Sequence, residues 1–105
     1  MKLIIAITGA SGVAYGIRLL EVLHEKKFET HLIISETALK LIEYETEKNI
    51  SDIKKLATYN YDMNELTAPL SSGSFKVNGM IIIPCSLKTL AAIVHGYANN
   101  LIIRA

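Results

Sequence analysis

The chain has 105 residues, half of them apolar and 20% charged, with eleven Lys and Arg against ten Asp and Glu for a net charge of +1. This is one domain's worth of chain, apolar enough to bury a core, which excludes a disordered segment; without a basic block it also excludes a nucleic-acid footprint. A single cysteine, Cys85, excludes an internal disulfide framework and a Cys-pair zinc site, and no apolar run approaches the ~18 residues of a membrane span.

Residues 3–7 (LIIAI) are continuously apolar and rich in β-branched side chains, as in a strand covered on both faces. The run is too short for a signal peptide, so the expectation is a soluble, cytoplasmic, single domain over residues 1–105. Residues 8–12 (TGASG) break the strand, and from Val13 the period becomes helical, with Val13, Ile17, Leu20 and His24 on one face. Lys26 and Lys27 close that helix, where cations suit the carbonyl end. Residues 30–35 (THLIIS) read as a second strand and 37–46 as a second helix. Ser51 and Asp52 read as the cap of a short third helix running through Ala57.

Residues 59–77 carry Pro69 and the small-residue run Ser71, Ser72, Gly73, Ser74, and read as a loop with room for a short strand. Residues 79–85 (GMIIIPC) form another buried strand, stopped by Pro84. Ser86 then caps a helix with Leu87, Leu90, Ala91 and Val94 on one face, ended by Gly96, and residues 99–105 open another helix. Strands alternating with helices give an α/β fold with a parallel sheet and right-handed crossovers. Three clear strands are few for such a sheet. The expectation is the front part of a Rossmann-like (flavodoxin-like) doubly wound, three-layer α/β/α domain, cut short at its carboxyl end.

Three features carry chemistry. The loop Gly9, Ala10, Ser11, Gly12 joins a strand to a helix, where glycine permits close backbone approach and the free N–H groups attract an anion such as phosphate. Its spacing is neither G-x-G-x-x-G nor a P-loop, and the second strand ends in Ser35 with Glu36 one step late for a ribose-binding acid. A tight turn with no ligand accounts for the loop equally well. The run from Pro84 through Cys85, Ser86, Leu87 and Lys88 to Thr89 repeats the arrangement, with Ser86 as a mere cap and Lys88 as a solvated cation for its plain alternative. Two such turns at strand ends point to one ligand crevice. Third, Glu45 continues the stripe of Ala38, Leu41 and Ile42, and a carboxylate on a buried face needs a partner or a task. The three histidines, His24, His31 and His95, lack metal-ligand spacing, and no metal is expected.

Taken together, several stretches resemble the UbiX-type flavin prenyltransferases. They are residues 8–12, residues 15–20 (YGIRLL), residues 31–35, Glu45 with Thr46, residues 72–75 (SGSF), Gly79 with Met80, residues 84–90 (PCSLKTL) and residues 100–105. The resemblance runs from the first strand to the last residue. It implies a Rossmann-like, FMN-binding homo-oligomer, typically a dodecamer. Such an enzyme joins the dimethylallyl group of dimethylallyl monophosphate to N5 and C6 of reduced FMN, with release of phosphate and without a metal. Its product, prenylated FMN, serves UbiD-type decarboxylases, including those of ubiquinone biosynthesis; older descriptions made the family itself a decarboxylase.

By position, the resemblance makes Gly9, Ala10, Ser11, Ser35, Ser86, Leu87, Lys88 and Thr89 flavin-contacting, and puts Ser11 and Glu45 at the reacting centre. The family's pattern continues with an Arg-Glu-Thr-Pro-Leu segment and later Tyr and basic residues. Residues 1–105 alone are therefore expected to lack much of the site. The rival readings are a flavin-dependent cysteine decarboxylase, which carries Pro-Ala-Ser-Ala-Asn where this chain has residues 84–88, a short-chain NAD-type oxidoreductase, for which no Tyr-x-x-x-Lys pair is present, and a non-catalytic FMN-binding protein.

Overall fold

Side chains alternate across a strand, so a strand apolar throughout must be covered on both faces. Such a strand, β1 (Lys2–Ile7), is central to the computed structural model, which describes residues 1–46, 49–63, 76–85, 90 and 93. It lies between β2 (Glu29–Ile34) and β4 (Gly79–Ile82), while β3 (Tyr59–Asp62) pairs with the outer side of β2. The sheet is wholly parallel in the order β3-β2-β1-β4, with Ile5 opposite Leu32 on one side and Ile81 on the other.

Among the described residues, three helices line one face: α1 (Val13–Glu25), α2 (Glu36–Glu45) and α3 (Ile50–Leu56). Leu3, Ile5 and Ile7 of β1 and Leu32 and Ile34 of β2 meet Ile17 and Leu20 of α1, Ile42 of α2 and Ile53 of α3 there. The alternate residues Ile4, Ala6 and Ile33 form a second buried cluster on the opposite face, with Met80 and Ile82 packed against it. Ile5, Ala6 and Ile7 are fully buried, so the apolar run of the first strand is accounted for on both sides.

The boundaries correct the sequence reading in detail. Four strands are present among the described residues: residues 59–62, in the segment read as a loop with room for a short strand, pair with β2. A reciprocal pair begins that pairing: Thr30 N–H donates to the Thr58 hydroxyl at 3.0 Å and Thr58 N–H to the Thr30 hydroxyl at 3.1 Å. On α1 the buried residues are Val13, Gly16, Ile17, Leu20 and Leu23, whereas His24, at the helix's end, is exposed. The His24 ring instead bonds the Leu56 carbonyl at 3.2 Å, linking α1 to α3. The α3 cap is Asn49, two residues before the expected Ser51; its side-chain Oδ1 accepts from Ser51 N–H at 3.0 Å.

The end of α1 is a Schellman turn. Lys27 N–H donates to the His24 carbonyl and Phe28 N–H to the Leu23 carbonyl, with Lys27 left-handed at φ 58.

Candidate functional site

All four strands run the same way, so their carboxyl ends share one edge of the sheet, and the loops leaving β1, β2 and β4 meet there. The β1 loop turns tightly through an Ala10 N–H to Thr8 carbonyl bond of 3.0 Å. Gly12 then takes φ +95, a left-handed conformation that a side chain would strain, and caps α1. No side chain caps this helix and no acid lies in its first turn. Its leading amides are therefore left for an anion, with the macrodipole favouring the same charge. Ser11 sits exposed on the loop beside them, and Gly9 and Ala10 are half-buried behind it.

Ser35 occupies a different role from the strand end expected of it. It follows β2 as the cap of α2, its hydroxyl oxygen accepting from Ala38 N–H at 3.1 Å, while its own N–H donates to the Ile7 carbonyl at 3.0 Å. The hydroxyl hydrogen remains able to donate to a ligand. The two loops are in contact: a side chain on Gly9 would collide with Thr37 at the start of α2.

The third loop is joined to the first. Ile83 N–H donates to the Ala6 carbonyl at 2.9 Å, and the Pro84 carbonyl accepts from both Thr8 N–H (3.2 Å) and the Thr8 hydroxyl (2.5 Å). Ile83–Pro84 is a cis peptide bond and Cys85 beyond it is exposed. Ser86, Leu87, Lys88 and Thr89 lie outside the described residues. The bond joining Thr8 to Pro84 was not foreseen. Thr8 is a polar residue ending a buried run, a signal visible in the sequence; its partner 76 residues on is not.

Glu45 is the last residue of α2, and Ser35 caps the other end. Ten helical residues separate the two positions by about 15 Å. Its side chain lies outside the described residues.

Away from this edge, Glu29, His31 and Tyr61 form a hydrogen-bonded chain. His31 Nε2 meets the Glu29 carboxylate at 2.9 Å and His31 Nδ1 meets the Tyr61 hydroxyl at 3.0 Å. A carboxylate only accepts, so Nε2 carries the hydrogen. This bond to His31 holds the Glu29 carboxyl below its ordinary range, with Lys2 at 3.9 Å adding to the effect. It belongs to the structural ties of the sheet and stands apart from the loops at its carboxyl edge.

The sequence profile of the Flavoprotein family matches residues 1–105. The chain belongs to that family. It is similar to the flavin prenyltransferase UbiX of Thauera aromatica, at 49% identity over 105 residues covering 100% of this chain and 54% of the relative. Two solved structures superpose closely on this flavoprotein chain. AnUbiX, in complex with FMN and dimethylallyl pyrophosphate, gives a TM-score of 0.95 at 46% identity, covering 98% of this chain and 55% of that one. A dodecameric FMN-dependent UbiX-like decarboxylase from Escherichia coli O157:H7 gives 0.96 at 47% identity, covering 99% and 57%. The chain thus spans about half the length of the curated relatives it matches. Among the described residues, no helix is long and apolar enough to cross a membrane.

Proposed function

We propose that this chain carries the flavin-binding edge of a flavin prenyltransferase, a cytoplasmic enzyme that transfers the dimethylallyl group of dimethylallyl monophosphate to reduced FMN. One observation carries the reading: the start of α1, capped by no side chain and with no acid in its first turn, lies with exposed Ser11 at the edge where three strand-end loops meet. A phosphorylated ligand fits these residues, since amides and a hydroxyl donate and the first turn of α1 carries no acid. The likeness to a UbiX protein that binds FMN and dimethylallyl pyrophosphate supports the choice of ligands.

When bound, reduced FMN supplies N5 and C6 as the atoms that accept the dimethylallyl group. The chain's own residues do the rest. Gly9, Ala10 and Ser35 wall the flavin site together with Ser86, Leu87, Lys88 and Thr89. The Ser11 hydroxyl donates to the phosphate oxygen from which the allylic carbon departs, stabilising the negative charge that develops as that C–O bond breaks. The Glu45 carboxylate takes up the proton released at flavin C6.

A dodecameric relative offers precedent for a homo-oligomer. The prenylated product goes on to UbiD-type decarboxylases, including those of ubiquinone biosynthesis.

Anaerobic incubation of the protein with reduced FMN and dimethylallyl monophosphate tests the reading. Mass spectrometry should find flavin enlarged by one dimethylallyl unit, with phosphate released; flavin returned unchanged under these conditions overturns it. Ser11→Ala should retain FMN and slow phosphate release about 100-fold. Glu45→Gln should retain FMN and lose most product formation. Activation of an apo UbiD-type decarboxylase by the product checks the recipient.

A further inference from the structure

His31 is a buried titratable group, 3% exposed, that takes no part in the flavin crevice. It shares a sheet face with Ile33 of its own strand and with Ile4 opposite it, and Tyr61 packs against the same apolar cluster. Both ring nitrogens are engaged. Nε2–H donates to the Glu29 carboxylate, so in the neutral ring Nδ1 accepts, and the Tyr61 hydroxyl donates to it at 3.0 Å. The imidazole is also stacked with two tyrosine rings. Tyr59 lies 4.9 Å away with planes at 17°, and Tyr61 lies 5.8 Å away at 18°. The stack reaches solvent at half-exposed Tyr59, whereas Tyr61 is partly covered. Tyr15 and Tyr44 are exposed, and among the described residues neither bonds an imidazole.

These contacts suit a phenol to the loss of one electron. An oxidised phenol that keeps its proton is a cation and a strong acid, and forming a cation in an apolar setting is costly. A neutral imidazole at hydrogen-bond distance lets the proton leave with the electron, so the ring ends uncharged. The positive charge moves to His31, where the Glu29 carboxylate already receives Nε2–H and makes the product a charge-assisted pair. The same bond lowers the Glu29 pKa and so keeps that carboxylate ionised.

We propose that Tyr61 is a redox-active tyrosine that quenches small oxidising radicals, with His31 as its proton acceptor. The radical takes one electron and becomes its anion. The Tyr61 O–H bond breaks, an N–H bond forms at His31 Nδ1, and a neutral phenoxyl radical is left on Tyr61. A one-electron reductant of the thiol or ascorbate class restores the electron, and the proton returns from Nδ1 to the phenol oxygen. The proposal does not rest on the prenyltransferase reading.

Pulse radiolysis of the protein in azide solution, with the azide radical as oxidant, tests it. The phenoxyl radical is followed by its absorption and by electron paramagnetic resonance. The unaltered protein should give a phenoxyl radical that outlasts that of free N-acetyltyrosinamide and forms more slowly in heavy than in light water. Tyr61→Phe should lose this persistent signal, while Tyr15→Phe and Tyr44→Phe should keep it. Glu29→Gln should shorten its lifetime by removing the charge that holds the imidazolium. The solvent comparison uses the unaltered protein, so it does not depend on a variant folding. A persistent signal that survives Tyr61→Phe, equal rates of formation in the two solvents, or a radical that decays as fast as the free one would each overturn the proposal.

Discussion

Gly16→Ala sets two opposing effects against each other, and the structure decides the sign. Gly16 is buried in the first turns of α1, where alanine would ordinarily be favoured by about 1 kcal/mol through helix propensity and a less free unfolded chain. A Cβ at this position, however, would lie closer to the Ile83 carbonyl oxygen than unbonded carbon and oxygen stand, and within 3.2 Å and 3.3 Å of Ile7 Cγ1 and Cδ1. The Ile7 side chain can shift slightly. The Ile83 carbonyl is backbone, and the Ile83 N–H is held to Ala6, so it retreats only if the end of β4 moves with it. Overpacking of this kind costs about 2–3 kcal/mol, leaving a net loss of about 1–2 kcal/mol. For a domain of this size that corresponds to a fall in Tm of roughly 5–15 °C. Thermal and urea unfolding of the two proteins, followed by circular dichroism, measures it. A variant as stable as the parent, or more so, would show that α1 does not press on the turn before Pro84 and would refute the packing argument.

Three further outcomes follow from local geometry. Lys27→Gly should raise stability by about 1 kcal/mol in urea unfolding, because glycine adopts the left-handed φ of 58 without the cost a lysine bears. Ser35→Ala should lower it by about 1 kcal/mol, read as a shift in urea midpoint, through loss of the cap on Ala38 N–H. Glu29 has its pKa lowered from 4.5 by the bond to His31, so the stabilisation is fully present above that value and is lost as pH falls through the lower folded-state pKa. Urea midpoints measured across this acid range should therefore fall with pH in the parent, and Glu29→Gln should flatten part of that slope.

The parallel α/β layering was legible because periodicity is a local property: the apolar run of residues 3–7 and the spacing of Val13, Ile17 and Leu20 each report their own environment. Boundaries were less legible. Ser35 reads equally well as the last residue of a strand or the first cap of a helix, and only its bond to Ala38 N–H decides. β3 reads only as room for a short strand within a loop because its sequence, Tyr-Asn-Tyr-Asp, is not apolar; an outer strand with exposed residues needs little burial, and the Thr30–Thr58 pair that starts it joins residues 28 apart. His24 falls on the apolar stripe of α1 by angle alone, and its exposure depends on where the helix ends. At the site, the Gly9–Gly12 loop announced itself through composition. The bonds that unite it with Pro84 depend on tertiary proximity and leave no pattern in the chain.

Those bonds bear on how a ligand is received. Thr8 is tied twice to the Pro84 carbonyl, Ser35 is tied to Ile7, and Gly9 is pressed against Thr37, so the loops leaving β1, β2 and β4 are braced against one another before anything binds. Loops that must be ordered by their ligand cost binding free energy in lost backbone freedom, whereas this edge loses that freedom when the sheet folds. Association at the described part of the crevice should then proceed with little rearrangement of the three loops. Mutations that loosen the braces, such as Thr8→Val, should weaken a phosphorylated ligand chiefly by making it reorder the loops, even though Thr8 itself is buried and out of the ligand's reach.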